Sequence, residues 1–237
     1  MMKVTYLSHS GFAVEYENCV LIFDYYKGSV PDFDKKKNVY VFVSHAHGDH
    51  FNRCIFRWAE EYGQITYIVS EDVPFAGGVP KGAALKDVLR VSPDGDYKTG
   101  ELVIRTLRST DEGVAFLVYA KGRVIYHGGD LNWWHWKEES EQWNASMARE
   151  YPDEIGKIKG ERIDIAFLPL DPRQEEAFFW GFDYFMRNTD TAYAFPMHMW
   201  GRYGTCEKLL EIPEARGYRE KVMCVRKEGQ EFLLESV

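Results

Sequence analysis

The stretch that decides the fold of this 237-residue chain is Ser44-His45-Ala46-His47-Gly48-Asp49-His50. It directly follows residues 39–43, a continuous apolar run of the kind expected for a strand buried on both faces. Loops that follow such strand ends are places where side chains converge on a ligand. His45 and His47 are two residues apart, so in extended backbone their imidazoles point the same way. The stretch therefore predicts two nitrogen ligands for one metal ion.

The last two residues of the same stretch can reach a second metal ion. Asp49 and His50 lie where the chain turns into a helix predicted over residues 51–62, and Gly48 permits the turn. A carboxylate and a nitrogen in this place suit a second, neighbouring ion. The alternative is chance clustering in a histidine-rich surface loop, but the specificity of the pattern favours a metal site.

Two further candidate ligands follow predicted strands elsewhere in the chain. Asp130 comes after residues 123–127 and a pair of glycines, and its two oxygens can bridge two cations. His198 comes after residues 191–195 and can act as a terminal nitrogen ligand. Taken alone, Asp130 could equally cap the next helix, and His198 could be a buried, hydrogen-bonded histidine.

The bulk composition indicates a soluble globular protein, with 45% hydrophobic and 28% charged residues. The formal net charge is −8, and the one lysine block, residues 35–37, lies beside two aspartates. A nucleic acid is therefore not an expected partner. No apolar run approaches the roughly 20 residues needed to span a membrane, and the N-terminus reads as a strand rather than a signal peptide. We expect a cytoplasmic protein that acts on a small-molecule substrate without a membrane partner; a homo-oligomer stays open.

The cysteines give little sign of a thiolate metal site. The four are Cys19, Cys54, Cys206 and Cys224, and none forms a CxxC pair. Nothing in the sequence suggests secretion, so reduced, buried thiols are expected.

The order of predicted elements indicates the fold class. Strands are predicted over residues 4–7, 12–16, 20–23, 39–43, 66–69, 85–91, 102–107, 114–120, 123–127, 163–168, 191–195, 221–226 and 231–234, and helices over 51–62, within 132–154, over 175–188 and near 206–210. Turns are predicted at Glu17-Asn18 and Lys121-Gly122. Each half has a β meander followed by strand–helix units. This predicts one α/β domain over 1–237, an αββα four-layer sandwich of two facing mixed β-sheets with outer helices.

These motifs together resemble the metallo-β-lactamase superfamily, and within it the branch of L-ascorbate-6-phosphate lactonase-like proteins. The resemblance extends over nearly the whole chain and depends chiefly on the HxHxDH pattern of residues 45–50. Supporting pieces are Leu7-Ser8-His9-Ser10-Gly11-Phe12, Phe23-Asp24, His127-Gly128-Gly129-Asp130 and Phe195-Pro196-Met197-His198.

The resemblance assigns roles to these residues. It implies that His45 and His47 bind metal one, that Asp49, His50 and His198 bind metal two, and that Asp130 bridges the two ions. It implies that Asp24 is a buried carboxylate that positions the ligand loop, for which a simple turn residue is the alternative. It also implies that His9 lines the pocket, for which a surface-loop histidine is the alternative.

One expected ligand is missing. The superfamily normally supplies a third histidine to metal one from a strand end before the GD pair, but no histidine lies between His50 and His127. Asp111, Ser109 or Thr110 could fill the place, His127 or His135 could compensate, or metal one could be loosely bound or absent. An oxygen ligand there would favour a harder ion such as Mn²⁺. The expected cofactor is one or two divalent metal ions, Zn²⁺ first, with Mn²⁺ or Fe as alternatives.

Two further features could shape a pocket. Trp133 belongs to a tryptophan-rich segment directly after Asp130, which predicts either a substrate wall or lid, or core or dimer packing. Arg173 follows another strand end, where it could bind a phosphate or carboxylate, or form a structural ion pair with Asp171.

The predicted function is metal-dependent hydrolysis. A metal-activated hydroxide would attack an ester, lactone, amide or phosphoester of a small substrate, with an anionic substrate as one option, and Asp49 or Asp130 would orient the nucleophile. A non-catalytic metal- or ligand-binding member of the fold is the first alternative, because of the missing histidine. A nuclease is the second, and the net charge of −8 argues against it.

Overall fold

The structure is a computed structural model that describes residues 2–74 and 87–235. These residues form two compact units. The first unit contains the described residues up to Ser92 and those from Lys227 onwards, and the second unit is Pro93–Arg226. The single domain over 1–237 stays a prediction.

The first unit contains a seven-stranded mixed sheet of strand order β13-β1-β2-β3-β4-β5-β6. Its strands are β1 (Met2–Ser8), β2 (Gly11–Glu15), β3 (Cys19–Phe23), β4 (Asn38–Val43), β5 (Ile65–Ser70), β6 (Val88–Val91) and β13 (Glu231–Leu234). The predicted hairpin at Glu17-Asn18 joins β2 and β3, which pair antiparallel. From β3 to β6 the strands are parallel, so the carboxyl ends of β3 and β4 lie side by side.

The core of the first unit anchors the element that follows the histidine stretch. The predicted helix over 51–62 is a shorter 3-10 helix, Arg53–Glu60, whose Asn52 side chain accepts a hydrogen bond from the Cys54 N–H. Ile55 and Phe56 are fully buried in the cluster that contains Val41 and Val69. The chain directly after His50 is therefore fixed by apolar packing.

The second unit contains a six-stranded mixed sheet of strand order β12-β11-β10-β9-β8-β7. Its strands are β7 (Asp96–Thr99), β8 (Leu102–Arg108), β9 (Val114–Ala120), β10 (Arg123–His127), β11 (Arg162–Pro169) and β12 (Asp190–Met197). Its helices are α1 (Glu141–Gly156), α2 (Trp180–Asn188) and α3 (Gly204–Glu211). Because β10, β11 and β12 are parallel, their carboxyl ends share one edge of the sheet.

The predicted turn at Lys121-Gly122 is confirmed. It joins the antiparallel strands β9 and β10, and both of its residues have positive φ, 54° and 74°. A two-residue turn with positive φ at both positions matches the twist of the strands that it joins.

Some predicted elements differ from the structure. Residues 221–226 are not a strand; Lys221 ends the 3-10 helix Arg219–Lys221, and after it the chain pairs with β12 only at an isolated bridge between Ala194 and Val222. The helix over 175–188 is divided into the 3-10 helix Pro172–Ala177 and α2, where Glu175 takes a φ of 53°. The strand over 85–91 is observed as β6, and residues 85–86 lie outside the described residues.

The cysteine prediction is wrong for one pair. Cys206 of α3 and Cys224 form a disulfide, whereas Cys19 and Cys54 are not disulfide-bonded. The two partners are 18 residues apart, and no local motif marks the pair because the chain reversal between α3 and residue 224 brings the sulfurs together.

No helix in the described part of the chain is long and apolar enough to cross a membrane.

Candidate metal centre

One buried carboxylate organises the histidine stretch of the first unit. Asp24 ends β3 and is fully buried beside the end of β4. Its Oδ1 accepts a hydrogen bond from the Ser44 backbone N–H at 2.7 Å. Its Oδ2 accepts from the Ser44 hydroxyl at 2.6 Å and lies 2.8 Å from His50 Nδ1. Asp24 is therefore not a simple turn residue; it positions the loop that carries the histidines.

These contacts decide which imidazole nitrogen carries the proton. An ionised carboxylate only accepts, so His50 Nδ1 carries a hydrogen and Nε2 has the lone pair. The Ser44 hydroxyl gives its single proton to Asp24, so its oxygen accepts from His45 Nδ1, which is 2.9 Å away. His45 Nε2 therefore also has its lone pair. This is the arrangement that metal-binding histidines require.

The first two histidines bring their nitrogens close together. His45 Nε2 lies 3.0 Å from His47 Nδ1. Two nitrogens that bind one tetrahedral Zn²⁺ at the usual Zn–N distance lie about 3.3 Å apart. His45 is fully buried and His47 is exposed, so the pair faces solvent on one side. The donor set of these residues thus fits a divalent ion.

The other predicted ligands of the first unit form a second group. Atoms of His9, Asp49 and His50 that could bind a metal lie within 4.8 Å of one another. His9 is 5% exposed, which excludes a surface-loop histidine, and its Nε2 lies 3.3 Å from Asp49 Oδ2. The hydrogen bond from His9 holds the pKa of Asp49 well below its usual range, despite the opposing effect of burial. The carboxylate is therefore ionised, as a metal ligand must be.

The glycine in the stretch has less influence than the sequence suggests. A Cβ on Gly48 would meet no atom within 4 Å, and Gly48 is not among the glycines with positive φ. The turn before Asp49 therefore does not require a glycine.

In the second unit, two strand ends bring Asp130 and His198 together. Asp130 follows β10 and His198 follows β12, and Asp130 Oδ1 lies 3.4 Å from His198 Nε2. Both are buried, at 4% and 3% exposure. Ser140, not Asp130, caps the helix α1, so the helix-cap interpretation of Asp130 is wrong.

A carboxylate that the sequence analysis named only as an ion-pair partner orients His198. Asp171 follows β11, is fully buried, and its Oδ2 lies 3.0 Å from His198 Nδ1. Burial raises the pKa of Asp171, but hydrogen bonds from His198 and Arg173 outweigh burial and lower the pKa to about 2. The ionised Asp171 therefore fixes the proton on Nδ1, and His198 Nε2 has the lone pair that points towards Asp130.

Two side chains that the sequence analysis did not assign to positioning hold the loop of Asp130. Trp134 donates from Nε1 to the Asp130 carbonyl at 2.9 Å, and its ring packs edge-on against His198. The Thr110 hydroxyl donates to the Asn132 carbonyl at 2.7 Å and accepts from the Asn132 N–H at 3.1 Å. The segment that lacks the third histidine thus supports the Asp130 loop.

The proposed replacements for that histidine have other contacts. Ser109 Oγ accepts from the Asp111 N–H, and Asp111 is exposed. His127 is buried and its Nδ1 accepts from the Gly129 N–H, while the ring of His135 packs against Trp180. Within residues 2–74 and 87–235, no group of three or more potential ligands includes Asp111, His127 or His135.

The two pocket candidates of the second unit have these contacts. Trp133 packs against Trp180 and Tyr184, while its neighbour Trp134 contacts His198. Arg173 forms the ion pair with Asp171 that was the structural alternative. The signal for Asp171 was its place after a buried strand; its partner His198 lies 27 residues away and could not be foreseen.

Backbone strain is concentrated in these segments. Seven non-glycine residues of the described chain have positive φ, and four of them are His9, Asp24, His198 and Trp200. Such conformations persist only where the surroundings enforce them, and they occur preferentially at functional sites.

Comparisons with known proteins support a metal-dependent enzyme family. No family model matches the chain. A UPF0173 metal-dependent hydrolase of Nanoarchaeum equitans is 44% identical over 182 residues, which are 71% of each chain. A UPF0173 metal-dependent hydrolase of Desulforamulus reducens is 29% identical over 148 residues, 54% of this chain. The chain covers 62% of the length of the Desulforamulus protein. It covers 64% of the length of a UPF0173 metal-dependent hydrolase of Cereibacter sphaeroides.

Solved structures give the fold. Igni18, a metallo hydrolase from Ignicoccus hospitalis, superposes with a TM-score of 0.64 at 20% identity, over 99% of both chains. The metallo-β-lactamase fold protein YhfI of Bacillus subtilis gives a TM-score of 0.59 at 14% identity, over 98% of this chain and 100% of its own. The predicted fold class is therefore confirmed. The chain has the metallo-β-lactamase fold and belongs to the UPF0173 family of metal-dependent hydrolases.

Proposed function

We propose that this chain is a hydrolase that binds one or two divalent metal ions and acts on a small substrate. The ligands would be His45, His47, Asp49, His50, Asp130 and His198, with Zn²⁺ as the first candidate ion and Mn²⁺ or Fe as alternatives. The family and the fold support this proposal, and so does the chemistry of each group of side chains.

One observation carries the proposal most directly. Three buried imidazoles, His45, His50 and His198, all have Nδ1 bound to a carboxylate, directly or through Ser44. The opposite nitrogen of each ring is thereby left with its lone pair. A histidine that only packs in a core does not need a buried carboxylate, because burial of a charged group without compensation costs free energy.

The chain's own residues would perform distinct tasks. The carboxyl groups of Asp49 and Asp130 can accept hydrogen bonds from a water molecule and orient it towards the scissile carbonyl or phosphoryl group. Asp24 and Asp171 hold the imidazoles and keep their protons on Nδ1. A bound divalent ion would supply Lewis acidity and lower the pKa of water towards neutrality.

The same proposal includes a substrate class. The resemblance to L-ascorbate-6-phosphate lactonase-like proteins suggests a small, anionic lactone or ester as the substrate, among ester, lactone, amide and phosphoester bonds.

The segment that lacks the third histidine favours a second candidate function. Ser109, Thr110 and Asp111 are engaged in loop contacts or exposed, which favours a single occupied ion or a non-catalytic, metal-binding member of the fold.

Metal content and hydrolysis of a panel of 4-nitrophenyl esters and phosphates, measured on the same preparations, separate the two functions. Wild-type protein is expected to contain metal and to hydrolyse at least one compound. Asp130→Asn should lose metal and reduce the rate by about 100-fold or more, whereas the exposed control Asp190→Asn should match wild type. Bound metal without any hydrolysis would support the non-catalytic function, and Asp130→Asn with full metal and full rate would refute the site.

A further inference from the structure

We propose that Arg173 is an anion-recognition residue, and that the substrate carries an oxyanion, a carboxylate or a phosphate, which the exposed edge of this guanidinium binds. This inference rests on the proposed function and identifies the chemical group of the substrate that Arg173 would bind.

Arg173 is held in one orientation by its contacts. Its Nε lies 3.0 Å from both oxygens of Asp171, and its Nη2 lies 2.5 Å from Asp171 Oδ2. Its Cζ lies 4.3 Å from the ring centre of Trp200 and 5.5 Å from that of Trp136. The carboxylate and the two indoles fix a side chain that would otherwise lose much rotamer entropy on binding.

These contacts leave part of the guanidinium available. Asp171 takes Nε and Nη2, and within the described residues no acceptor binds Nη1. The side chain is 44% exposed. A planar guanidinium that is fixed on one edge and open on the other is preorganised for a carboxylate or phosphate, which its donors bind in a fork.

The position of Arg173 connects it with the proposed reaction. Asp171 Oδ2 binds Arg173 Nη2, His198 Nδ1 and, at 3.2 Å, Trp200 Nε1. The guanidinium and the imidazole of a proposed metal ligand therefore share one acceptor atom. An anionic substrate group bound by Arg173 would therefore lie close to the imidazole of His198.

Trp200 supplies a second element of recognition. Its ring is 45% exposed although large apolar side chains are usually buried, and its φ of 53° is strained. Trp200 stacks on Arg173, and part of its ring surface is exposed. We expect the apolar part of the substrate to contact this ring.

Charge explains why such a residue is needed. The chain has a formal net charge of −8, which repels anions at long range. A fixed guanidinium near the reacting groups would offset this repulsion locally and would select anionic substrates over neutral ones.

Two measurements on the full chain test the assignment, and the first does not depend on catalysis. Succinate and inorganic phosphate are titrated separately into metal-free protein and followed by calorimetry. Wild type is expected to bind at least one anion, and the anion that binds identifies carboxylate or phosphate as the preferred group. Arg173→Met should weaken binding about 10-fold or more, and Arg173→Lys should weaken it less. Arg187→Met, which removes another arginine of the second unit, serves as the control and should bind as wild type does.

The second measurement compares two esters on metal-loaded protein. The ratio of kcat/KM for 4-nitrophenyl hemisuccinate to that for 4-nitrophenyl acetate reports recognition of a remote carboxylate. Arg173→Met should reduce this ratio about 10-fold through KM, and Arg187→Met should not. Loss of anion binding in Arg173→Met, together with no hydrolysis by wild type of any ester or phosphate of the 4-nitrophenyl panel, would refute the proposed function and retain the anion site. Absence of anion binding by wild type, or equal binding by wild type and Arg173→Met, would overturn the assignment of Arg173.

Discussion

The two units position their predicted ligands in different ways. In the first unit, His45, His47, Asp49 and His50 lie within six residues, and a single carboxylate, Asp24, orients two of the three imidazoles. In the second unit, the two ligands follow different strands, and each depends on its own partners.

This difference shows what short motifs reveal. Where the ligands share one loop, their types and spacing are visible in the sequence. Where they come from strand ends 68 residues apart, as for Asp130 and His198, the parallel pairing of β10, β11 and β12 brings them together. The carboxylates that position the imidazoles are hidden in both units, because an isolated aspartate after a strand has many other uses.

The largest expected effect concerns stability, and it contrasts the disulfide of the second unit with the reduced cysteines of the first. Cys206→Ser should lower the free energy of unfolding by about 3 kcal/mol, because the disulfide restricts a loop of the unfolded chain. Denaturant unfolding under non-reducing conditions measures this loss. Cys54→Ser is the control and should change little; equal stability of Cys206→Ser and wild type would show that the disulfide contributes nothing.

Among the carboxylates that orient imidazoles, Asp24 should matter most, and Asp24→Asn should lose more metal affinity than Asp171→Asn. The amide has nearly the same shape but loses the charge that holds Ser44 and His50, so we expect a loss towards the upper end of about 10–100-fold. Competition with a chelator measures the affinity. Asp34→Asn, on an exposed loop, is the matched control. Wild-type affinity in Asp24→Asn would mean that the ligand loop needs no support from β3.

Asp171→Asn should cost less metal affinity, about 10-fold, because this carboxylate orients one imidazole instead of two. The same chelator competition applies, with Asp190→Asn as the control. If Asp171→Asn lost more affinity than Asp24→Asn, the contrast between the units would be reversed.

The smallest effect is expected for the segment that lacks the third histidine. Thr110→Val keeps the shape of the side chain but leaves the backbone N–H and carbonyl of Asn132 without their partner, which should cost about 1 kcal/mol of stability. Thermal unfolding measures this loss, and Thr99→Val of β7 is the comparison. An unchanged melting temperature would indicate that Thr110 does not support the Asp130 loop.

Much of the fold could be predicted from the sequence because strand patterns are local. Residues 39–43 and 163–168 read as buried strands and are β4 and β11. The strand predicted at 221–226 is wrong because these residues make only an isolated bridge and no continuous strand pairing. The Cys206–Cys224 disulfide has no local sequence signature. The sequence predicted Trp133 as a pocket residue, but it is Trp134 that contacts His198. Periodicity cannot distinguish adjacent residues of an irregular loop.

The most direct test of the central claim is the metal content per chain of protein purified without chelator and supplemented with Zn²⁺, measured by plasma mass spectrometry. We predict one or two ions per wild-type chain and almost none in a His45→Ala/His50→Ala double variant that keeps the wild-type circular dichroism spectrum. A wild-type chain that stays nearly free of metal, or a double variant that retains the wild-type content, would contradict the assignment of residues 45–50 as metal ligands.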